Sequence, residues 1–431
     1  MFWNPAVETL ARERLEALQL ERVRQTIARQ LAAVAPRRER LHAAGLRAPE
    51  DVQSLRDLER LPLTSKSDLR EHYPFGLFAV PRHEVVRIHA SSGTRGKPTI
   101  VGYTRGDLGV WSEVMARTLG LAGVQPGMVV HNAYGYGLFT GGLGFHQGAE
   151  LMGCTVIPVS GGFTERQVLL LEDLQGQVLC CTPSYALNIA QALAERGVDR
   201  ARLNLQVGIF GAEPWTEQMR NAIEQQLGIV ALNVYGLSEI VGPGVSAECL
   251  EGRGGAHVQE DHFLVEVIDP VTERPVSPGQ EGELVFTTLT REALPMLRYR
   301  TGDISSLSSE PCVCGRTSVR MARVRGRFDD MLIIRGVNLY PSEVERVLLE
   351  VGGLAPHYQL IVERPATMDE LTVLCEAAST VSGDEGDLLQ RRIERALREA
   401  TGLSMRIQVL ERGGVPRSEG KAVRVIDRRP R

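Results

Sequence analysis

The sequence predicts an α/β protein in which a large amino-terminal domain of βαβ-type sheets, with a β subdomain, is joined to a small α+β carboxy-terminal domain. Up to about residue 260, short apolar runs alternate with amphipathic stretches. From His262 to Leu307 the pattern changes to short alternating strands joined by turns, and the last hundred or so residues show strand, loop and helix patterns in succession. We therefore divide the chain into domains of residues 1–328 and 329–431.

The elements of the large domain follow in order along the chain. An amphipathic helix opens it, because Leu15, Val23 and Ile27 lie among Glu and Arg residues at helical spacing. Continuous apolar runs that end near Gly, Ser, Thr or Pro are typical of parallel strands covered by helices, with the active site at the strand ends. These runs are VVRIHA, MVVHNAY, CTVIPVS, VLCCTPS, LQVGIFGAE and IVALNVYG. The stretches Thr164 to Leu174 and Thr216 to Leu227 predict two of the covering helices.

The small domain begins at a boundary near Arg327 to Asp330. The run MLIIRGVNLYPSEVERVLLEV that follows predicts a strand, a loop and a helix. LTVLCEAAS and MRIQVLE predict two further strands, and the charged stretch Asp384 to Thr401 between them predicts a helix. These elements are enough for a compact α+β unit.

The composition is that of a globular protein without a polyanionic partner. The 431 residues are 43% hydrophobic and 24% charged, with a net charge of −4, so we expect no nucleic-acid partner. No run reaches the roughly 18 apolar residues that a membrane-spanning helix needs, and the Glu-containing amino-terminal helix is unlike a signal or transit peptide. We expect a cytoplasmic protein without a membrane partner, and the sequence leaves a homodimer open.

The seven cysteines divide into two groups. An odd number in a long chain without a secretion signal indicates reduced thiols. Cys154, Cys180, Cys181 and Cys375 lie in apolar, strand-like runs, so we expect them to be buried. The remaining three belong to the metal site discussed below.

A hydroxyl-rich and glycine-rich loop follows the run VVRIHA and reads SSGTRGKPT from Ser91 to Thr99. Its glycines let backbone N–H groups approach a polyphosphate, its hydroxyls donate hydrogen bonds, and Arg95 and Lys97 supply positive charge. It is not a Walker A loop, because Ser91 stands where that motif has its first Gly. An ordinary polar turn has the same composition, so this loop alone does not decide between the two.

Five further motifs follow in order: FGAEP at 210–214, YGLSE at 235–239, YRTGD at 299–303, GRFDD at 326–330 and GK at 420–421. With the loop they resemble the adenylate-forming superfamily of acyl-CoA synthetases, luciferases and nonribosomal adenylation domains. The short amino-terminal portion and the runs SSGTRGKPTIVGYT, YGYGLFTGGLG, RGVNLYPSEVE and RSEGKAVRVIDRR resemble the phenylacetate-CoA ligases, over nearly the whole chain from about Leu61. Arg95 replaces the usual small Thr or Ser, which leaves the phosphate contacts open.

The resemblance implies an ATP-dependent acid:thiol ligase that forms an acyl-adenylate and then transfers the acyl group to coenzyme A. Its expected partners are ATP with Mg²⁺, coenzyme A and a small aromatic carboxylic acid, for which phenylacetate is the first candidate. Three alternatives stay open. They are an aryl-acid AMP ligase that loads a carrier protein, a coenzyme F390 synthetase-like adenylyltransferase, and a catalytically silent nucleotide-binding regulatory protein.

The motif residues suit the chemistry of adenylation. Attack on the α-phosphate puts negative charge on phosphoryl oxygens, and a catalytic Lys421 would stabilise that charge. Glu239, also taken as catalytic, is a hard carboxylate that suits Mg²⁺ bound to ATP phosphates. Tyr235 suits stacking on the base, and Asp303 and Arg327 suit contacts with the ribose. The predicted nucleotide-binding residues are Ser91, Ser92, Gly93, Thr94, Lys97, Ala212, Glu213, Pro214, Asn233, Tyr235, Gly236, Ser238, Asp303 and Arg327.

Aromatic and glycine residues predict the pocket for the acid. Tyr134, Tyr136 and Phe139 would form walls, and Gly142 and Gly211 would leave gaps, which together suit a flat ring. Ordinary core aromatics would give the same sequence pattern.

The resemblance also implies that the carboxy-terminal domain is a mobile lid. The lid would turn about Asp329, presenting Lys421 for adenylation and the loop at Arg335 and Gly336 for thioester formation. A glycine at 336 would let the pantetheine of coenzyme A pass close to the backbone.

A structural zinc site is predicted from Cys249, His257, Cys312 and Cys314. Cys312 and Cys314 are one residue apart, and Cys249 and His257 flank a glycine-rich loop with few apolar residues of its own. A Cys₃His set is a closed tetrahedral site of the kind used for structural zinc. Alternatively, Cys312 and Cys314 are surface thiols and His257 lines the acid or nucleotide site.

Overall fold

The structure is a computed structural model that describes residues 1–91, 98–365, 368–381, 383–417 and 421–429. No helix of these residues is both long and apolar enough to cross a bilayer. Short 3-10 turns lie at Pro49–Asp51, Leu55–Arg60, Arg82–Glu84, Arg200–Arg202 and Phe328–Asp330. The α-helices are α1 Pro5–Glu8, α2 Arg12–Ala33, α3 Ala35–Ala43, α4 Lys66–Glu71, α5 Arg105–Leu121, α6 Gly141–Met152, α7 Thr164–Leu174, α8 Pro183–Glu195, α9 Glu217–Leu227, α10 Pro341–Val351 and α11 Gly383–Thr401.

The strands of the described residues form five sheets. In chain order they are β1 Arg87–Ser91, β2 Thr99–Tyr103, β3 Val129–Asn132, β4 Thr155–Ile157, β5 Val178–Cys181, β6 Val207–Gly211, β7 Val230–Leu237, β8 Gly242–Glu248, β9 Ala256–Val258, β10 Phe263–Ile268, β11 Gly282–Thr288, β12 Tyr299–Ser305, β13 Leu307–Ser308, β14 Arg320–Met321, β15 Gly326–Arg327, β16 Leu332–Ile334, β17 Val337–Leu339, β18 Leu354–Glu363, β19 Glu370–Ala377, β20 Arg406–Leu410 and β21 Val425–Asp427.

A nine-stranded sheet forms the centre of the large domain, in the order β13-β14-β9-β8-β7-β6-β5-β3-β4. Strands β4, β3, β5, β6 and β7 run parallel, which confirms the predicted parallel sheet. From β7 onward, however, β8, β9, β14 and β13 pair antiparallel. This antiparallel half was not predicted from the sequence, because β8 reads GPGVSAE and glycine and proline are poor strand formers.

The two helices predicted to cover the sheet are confirmed. α7 spans Thr164–Leu174, and α9 begins at Glu217 after the N-cap Thr216, whose side-chain oxygen accepts a hydrogen bond from the backbone N–H of Met219. With α8 they cover one face of the sheet around buried aromatic side chains. α5 and α6 cover the other face. The buried sheet therefore offers only its strand ends to a ligand.

The run VVRIHA forms a strand, but the prediction that it belongs to the parallel sheet is wrong. β1 pairs antiparallel with β2 in a separate two-stranded sheet. Only residues 92–98 join the two strands. Such a connection is long enough for antiparallel neighbours, but it is shorter than the dozen or so residues of a parallel crossover.

The β subdomain predicted from His262 to Leu307 is a four-stranded antiparallel sheet of order β10-β11-β12-β15. Its last pairing places Asp303 on β12 directly opposite Arg327 on β15. Two residues of separate sequence motifs are thereby brought side by side.

The carboxy-terminal domain is the predicted α+β unit. Its sheet has the order β20-β19-β18-β21, and α10, α11 and the hairpin β16–β17 pack around a core of its own. β21 pairs parallel with β18 at the edge of this sheet, which fixes the segment after Lys421 to the domain. The predicted division between residues 328 and 329 falls within the turn Phe328–Asp330, between β15 and β16.

Of the cysteines expected to be buried, all four are buried.

Candidate active site

A cavity opens at the carboxyl ends of β6 and β7, beside the first turn of α6. Its volume is about 470 Å³, including the part that is open to solvent. The carboxyl ends of parallel strands are where α/β sheets usually bind their ligands. The lining residues are Tyr134, Phe139, Thr140, Gly141, Ala212, Val234, Gly236, Leu237, Ser238 and Pro243.

Two of the three aromatics predicted for the acid pocket line this cavity. Tyr134 is buried and stacks on Phe145, with 5.0 Å between the ring centroids. Phe139 is 42% exposed. A fixed aromatic wall next to an exposed one suits a small flat ligand that enters from solvent.

Tyr136 is not among the lining residues. Its hydroxyl accepts a hydrogen bond from Asn132 Nδ2 at 2.8 Å and lies 3.1 Å from His146 Nδ1. These contacts hold the half-buried Tyr136 side chain against Asn132 and His146.

Gly142 and Gly211 were predicted to leave gaps in the acid pocket, but the structure requires glycine at these positions for a different reason. A Cβ added to Gly142 would lie 2.7 Å from the carbonyl oxygen of Gly135, and one added to Gly211 would lie 2.1 Å from that of Val234. No real Cβ atom tolerates such distances. Both glycines are required by close packing of backbone on backbone, and neither lines the cavity.

Tyr235, Asp303 and Arg327, predicted for the nucleotide, meet at one point. The Tyr235 hydroxyl donates to Asp303 Oδ2 at 2.6 Å, and Arg327 Nη1 lies 3.3 Å from Asp303 Oδ1. Burial, followed by the neighbouring Asp303 carboxylate, raises the pKa of Tyr235 well above its ordinary value. The Tyr235 ring also stacks on Phe286, with 6.0 Å between centroids. The carboxylate of Asp303 is therefore held in a fixed orientation by its two neighbours.

The YGLSE turn brings two further predicted residues to the cavity. Ser238 lines it, with Oγ 3.3 Å from Thr140 Oγ1. Glu239 is buried, and its Oε1 lies 3.6 Å from Nζ of Lys66, at the start of α4. An ammonium group thus partly balances the charge of this carboxylate.

Asn233, also predicted for the nucleotide, lies on β7 but does not line the cavity. Its Oδ1 accepts a hydrogen bond from Trp215 Nε1 at 2.8 Å, and its backbone N–H donates to Glu248 at 2.7 Å. These contacts hold the strand and the segment after β6 together. Asn233 therefore stabilises the strand and the segment beside the cavity, and it does not line the cavity itself.

The GAEP segment joins the cavity to the lid. Ala212 lines the cavity with a left-handed backbone at φ 71°, and Pro214 is exposed. Glu213 Oε1 accepts from the backbone N–H of Ser184 at 2.8 Å, and its Oε2 accepts from that of Ala422 at 2.7 Å.

The lid therefore holds Lys421 close to the cavity. Lys421 is exposed and directly precedes Ala422, which is bonded to the residue next to cavity-lining Ala212. Two other lid residues reach α8: Arg424 donates to Ser184 Oγ at 3.1 Å, and Arg417 donates to Gln191 Oε1 at 3.2 Å.

Arg335 and Gly336, predicted for the coenzyme A path, form the two-residue turn of the hairpin β16–β17. Their φ values are 51° and 82°, the signature of a type I′ turn, which matches the twist of a hairpin. A Cβ added to Gly336 would have nothing within 4 Å. Residue 329 lies in the turn Phe328–Asp330, and the side chain of Asp329 is outside the described part of the structure.

The glycine-rich loop at 91–99, predicted to bind phosphate, is described only at its edges. Ser91 ends β1, and Thr99 begins β2. Ser92, Gly93, Thr94 and Lys97 lie outside the described residues, so their nucleotide contacts stay predictions.

The predicted zinc ligands form one cluster. The ligand atoms of Cys249, His257, Cys312 and Cys314 all lie within 4.8 Å of one another. Cys249 Sγ is 3.6 Å from Cys312 Sγ, and Cys314 Sγ is 3.4 Å from His257 Nε2. A zinc ion with bonds of about 2.3 Å to sulfur places tetrahedral ligands about 3.8 Å apart. The cluster fits a zinc ion.

The surroundings of the cluster agree with a metal site. The backbone N–H of Gly252 donates to Cys249 Sγ at 3.2 Å, and His257 Nδ1 lies 3.1 Å from Ser318 Oγ, which leaves Nε2 toward the thiols. Burial lowers the pKa of His257 to about 4, which keeps its imidazole neutral, as a zinc ligand must be. Cys312 is buried and Cys314 is half-buried, so the alternative that both are surface thiols is wrong for Cys312. His257 does not line the cavity described above.

Several residues of the site were not predicted. Thr140, Leu237 and Pro243 line the cavity, Lys66 pairs with Glu239, and Ser184 anchors Glu213. Thr140 and Leu237 lie within the runs YGYGLFTGGLG and YGLSE, but the runs do not show which of their residues face a cavity. Lys66, Ser184 and Pro243 reach the site through the pairing of distant segments.

Two family models and several known sequences match most of the chain. The AMP-binding enzyme family matches residues 12–290, and the AMP-binding enzyme C-terminal domain matches residues 336–429. Phenylacetate-coenzyme A ligase of Thermus thermophilus is 52% identical, and the alignment covers 100% of both chains. Phenylacetate-coenzyme A ligase of Escherichia coli is 48% identical over 98% of this chain and 97% of its own.

Solved structures of 2-hydroxyisobutyryl-CoA ligase show a related fold in two states. The structure in the postadenylation state with R3-HIB-AMP superposes with a TM-score of 0.93 at 28% identity, covering 99% of this chain and 92% of that one. The structure with 2-HIB-AMP and CoA in the thioesterification state gives a TM-score of 0.74 at 29% identity, with the same coverage. The arrangement of the two domains here is therefore closer to the first state.

Proposed function

This chain belongs to the phenylacetate-coenzyme A ligases of the AMP-binding enzyme family, and from this premise we propose that it joins phenylacetate, or a closely related aryl acid, to coenzyme A. ATP is converted to AMP and pyrophosphate. The observation that supports the proposal best is the meeting of three motifs at one cavity. Residues of GAEP and YGLSE line it, and Ala422 of the lid, which directly follows Lys421, bonds to Glu213 of GAEP.

The first half-reaction forms the acyl-adenylate. A carboxylate oxygen of the acid attacks the α-phosphorus of ATP, a P–O bond forms, and the bond to pyrophosphate breaks. Negative charge grows on the phosphoryl oxygens, and Lys421, with Lys97 of the glycine-rich loop, supplies the balancing positive charge. Asp303, oriented by Tyr235, accepts hydrogen bonds from the ribose hydroxyls.

The second half-reaction forms the thioester. The thiolate of coenzyme A attacks the carbonyl carbon of the acyl-adenylate, and AMP leaves with the electron pair of the C–O bond. The lid turns about residue 329 between the two steps, replacing Lys421 by the turn at Arg335 and Gly336. The turn lies at the lid surface with open space around Gly336, as a passage for pantetheine requires.

Magnesium would be held by Glu239. Mg²⁺ is usually bound by one or two carboxylates together with substrate phosphates and water, and a buried carboxylate next to cavity-lining Ser238 fits that description. When bound, the ion would neutralise phosphate charge. Lys66 then holds the Glu239 side chain in place.

A structural zinc ion would be held by the Cys₃His cluster. It would join the segment after β8 to the segment after β13, which belong to the loops behind Glu239 and Asp303. Its contribution would be to folding. The homodimer and the cytoplasmic location expected from the sequence stay predictions.

The proposal is tested by measuring pyrophosphate release with a panel of acids, each with and without coenzyme A. The panel contains phenylacetate, benzoate, hydroxy- and aminobenzoates and indole-acetate. We expect phenylacetate or a near relative to give the highest kcat/KM, and acyl-CoA to form only when coenzyme A is present.

Two outcomes would contradict it. Acid-dependent pyrophosphate release without any acyl-CoA product would favour a carrier-protein or other acceptor. No acid-dependent release with any member of the panel would remove the ligase assignment for aryl acids.

A further inference from the structure

The carboxylate of Glu213 has no part in the chemistry above, although Glu213 follows the cavity-lining Ala212. Both of its oxygens are engaged. Oε1 accepts from the backbone N–H of Ser184 in the first turn of α8, at 2.8 Å, and Oε2 accepts from that of Ala422 in the lid, at 2.7 Å. One charged side chain therefore joins a rigid helix of the large domain to the lid residue that follows Lys421.

A second carboxylate makes the reciprocal connection. Glu345 on α10 of the lid is buried, and its Oε1 accepts from the backbone N–H and the hydroxyl of Thr216, at 3.2 Å and 3.0 Å. Its Oε2 lies 3.6 Å from Arg424 Nη2, which also donates to Ser184. The large domain thus offers the carboxylate of Glu213 to a donor in the lid, and the lid offers the carboxylate of Glu345 to donors of Thr216 in the large domain. Hydrogen bonds to charged acceptors are about twice as strong as neutral ones.

The bond from Ala422 is the nearest to Lys421 along the chain among the hydrogen bonds that cross between the domains in the described residues. The position of the Lys421 backbone is therefore set by the Glu213 carboxylate from one side and by the lid sheet, through β21, from the other. A displacement of about 1 Å of a catalytic group costs on the order of 100-fold in rate. Placement of this backbone is thus a catalytic requirement.

We propose that Glu213 is a positioning residue: its carboxylate holds the lid backbone beside Lys421 for adenylation and releases it when the lid turns for thioester formation. This inference rests on the proposed function. In this proposal the Glu213 side chain binds the lid, whereas the sequence motif alone suggests that it contacts the nucleotide. A contact that exists in only one lid orientation affects only one half-reaction.

The test is the variant Glu213→Gln. Glutamine keeps the size of the side chain, but it replaces one acceptor oxygen by an NH₂ donor, so one of the two backbone N–H groups loses its partner. We expect kcat for acid-dependent ATP–pyrophosphate exchange to fall by about 10- to 100-fold, with KM for ATP changed by less than about twofold. Thioester formation from supplied acyl-adenylate should be unchanged or faster.

The matched control is Gln218→Ala, which removes another hydrogen bond between the domains, from Gln218 to Glu350 at 2.9 Å on the exposed surface. Both half-reactions should keep their rates in this variant. A raised KM for ATP with unchanged kcat in Glu213→Gln would make the side chain a nucleotide contact. Equal loss in both half-reactions would make its role merely structural. Either result overturns the proposal.

A second measurement does not depend on activity. Hydrogen exchange of the Ser184 and Ala422 amides should quicken by about tenfold or more for at least one of them in Glu213→Gln, because that amide loses its acceptor. The amide of Val373, in the lid core, serves as the folding control. Unchanged exchange at both amides overturns the proposal. If the wild-type chain activates no acid, the proposed function fails, and hydrogen exchange alone decides whether Glu213 holds the lid.

Discussion

Asp303 and Arg327 are separated by 24 positions, yet they lie directly opposite each other on β12 and β15. Tyr235 reaches the same carboxylate from a different sheet. The motifs YGLSE, YRTGD and GRFDD made these three residues candidates for the nucleotide site, but their contact with one another depends on strand register, which single motifs do not contain. A ribose that approaches Asp303 would meet a carboxylate whose orientation is already fixed, as precise binding sites require.

Lys421 provides the sharpest test at the level of single residues. We expect Lys421→Ala to lower the rate of adenylate formation by about 10²- to 10³-fold, because one charge-stabilising donor of the transition state is lost. Thioester formation from supplied acyl-adenylate should be largely unaffected. The two half-reactions are measured separately by pyrophosphate exchange and by acyl-CoA formation.

Arg428→Ala is the control for Lys421→Ala, since Arg428 is an exposed lid residue whose guanidinium pairs with Glu363 on the same domain. It should leave both rates unchanged. If Lys421→Ala slowed the two half-reactions equally, the assignment of this lysine to the first step alone would be wrong.

At the scale of elements, the hairpin β16–β17 carries the proposed path for coenzyme A. We expect Gly336→Ile to block thioester formation and to spare adenylation, because a branched side chain would fill the passage. The same substitution also strains a backbone with φ 82°, at a cost of roughly 1–2 kcal/mol. The measurement is again the rate of each half-reaction.

Gly402→Ile separates these two effects. Gly402 has φ 71° and open space around its Cβ position, on the same domain but outside the hairpin. It carries the same strain without lying on the proposed path, so its thioester step should persist. An equal loss of thioester formation in both variants would show that backbone strain causes the effect. An unchanged rate of thioester formation in Gly336→Ile would contradict the proposed path for coenzyme A.

The Cys₃His cluster belongs to the same scale, because it would fasten two loops that few apolar side chains hold. Purified protein should contain about one zinc per chain by elemental analysis. Cys312→Ser should lower the zinc content and the melting temperature, because a tetrahedral site loses a ligand. Cys154→Ser changes a buried cysteine elsewhere and should keep the metal. Fully active and equally heat-stable protein without metal would refute the site.

At the scale of the whole molecule, the two domains meet through hydrogen bonds and ion pairs at 213–216 and along α8, with Leu349 as an apolar contact. Such a polar contact surface is compatible with a lid that changes orientation. We expect cross-linking of the double variant Gln218→Cys, Glu350→Cys with a short, cleavable bifunctional thiol reagent to hold the lid in its present orientation. Adenylation should continue, and thioester formation should stop.

Cleavage of the linker should restore thioester formation, and each single-cysteine variant treated with the same reagent is the control. Thioester formation that continues at the normal rate in the cross-linked protein would contradict a turning lid.

The sequence was sufficient for the parts of the fold that depend on local patterns. The parallel strands, α7, α9, the β subdomain and the lid were predicted, since each is a continuous run with its own periodicity. The antiparallel half of the main sheet was not, because β13 and β14 have two residues each and form only by pairing with distant strands. The partners Lys66 and Ser184 were missed for the same reason, as they reach the site only through tertiary structure.

The apolar core of the lid consists of side chains from the lid alone, such as Leu348, Leu360 and Ile393. The walls of the acid cavity draw on a different cluster. Substitutions in cores that share no neighbours have nearly additive effects on stability. During descent from a common ancestor, cavity residues such as Phe139 would therefore be free to diverge toward a new acid while the lid is inherited intact, provided that the few residues facing segment 213–216 are retained.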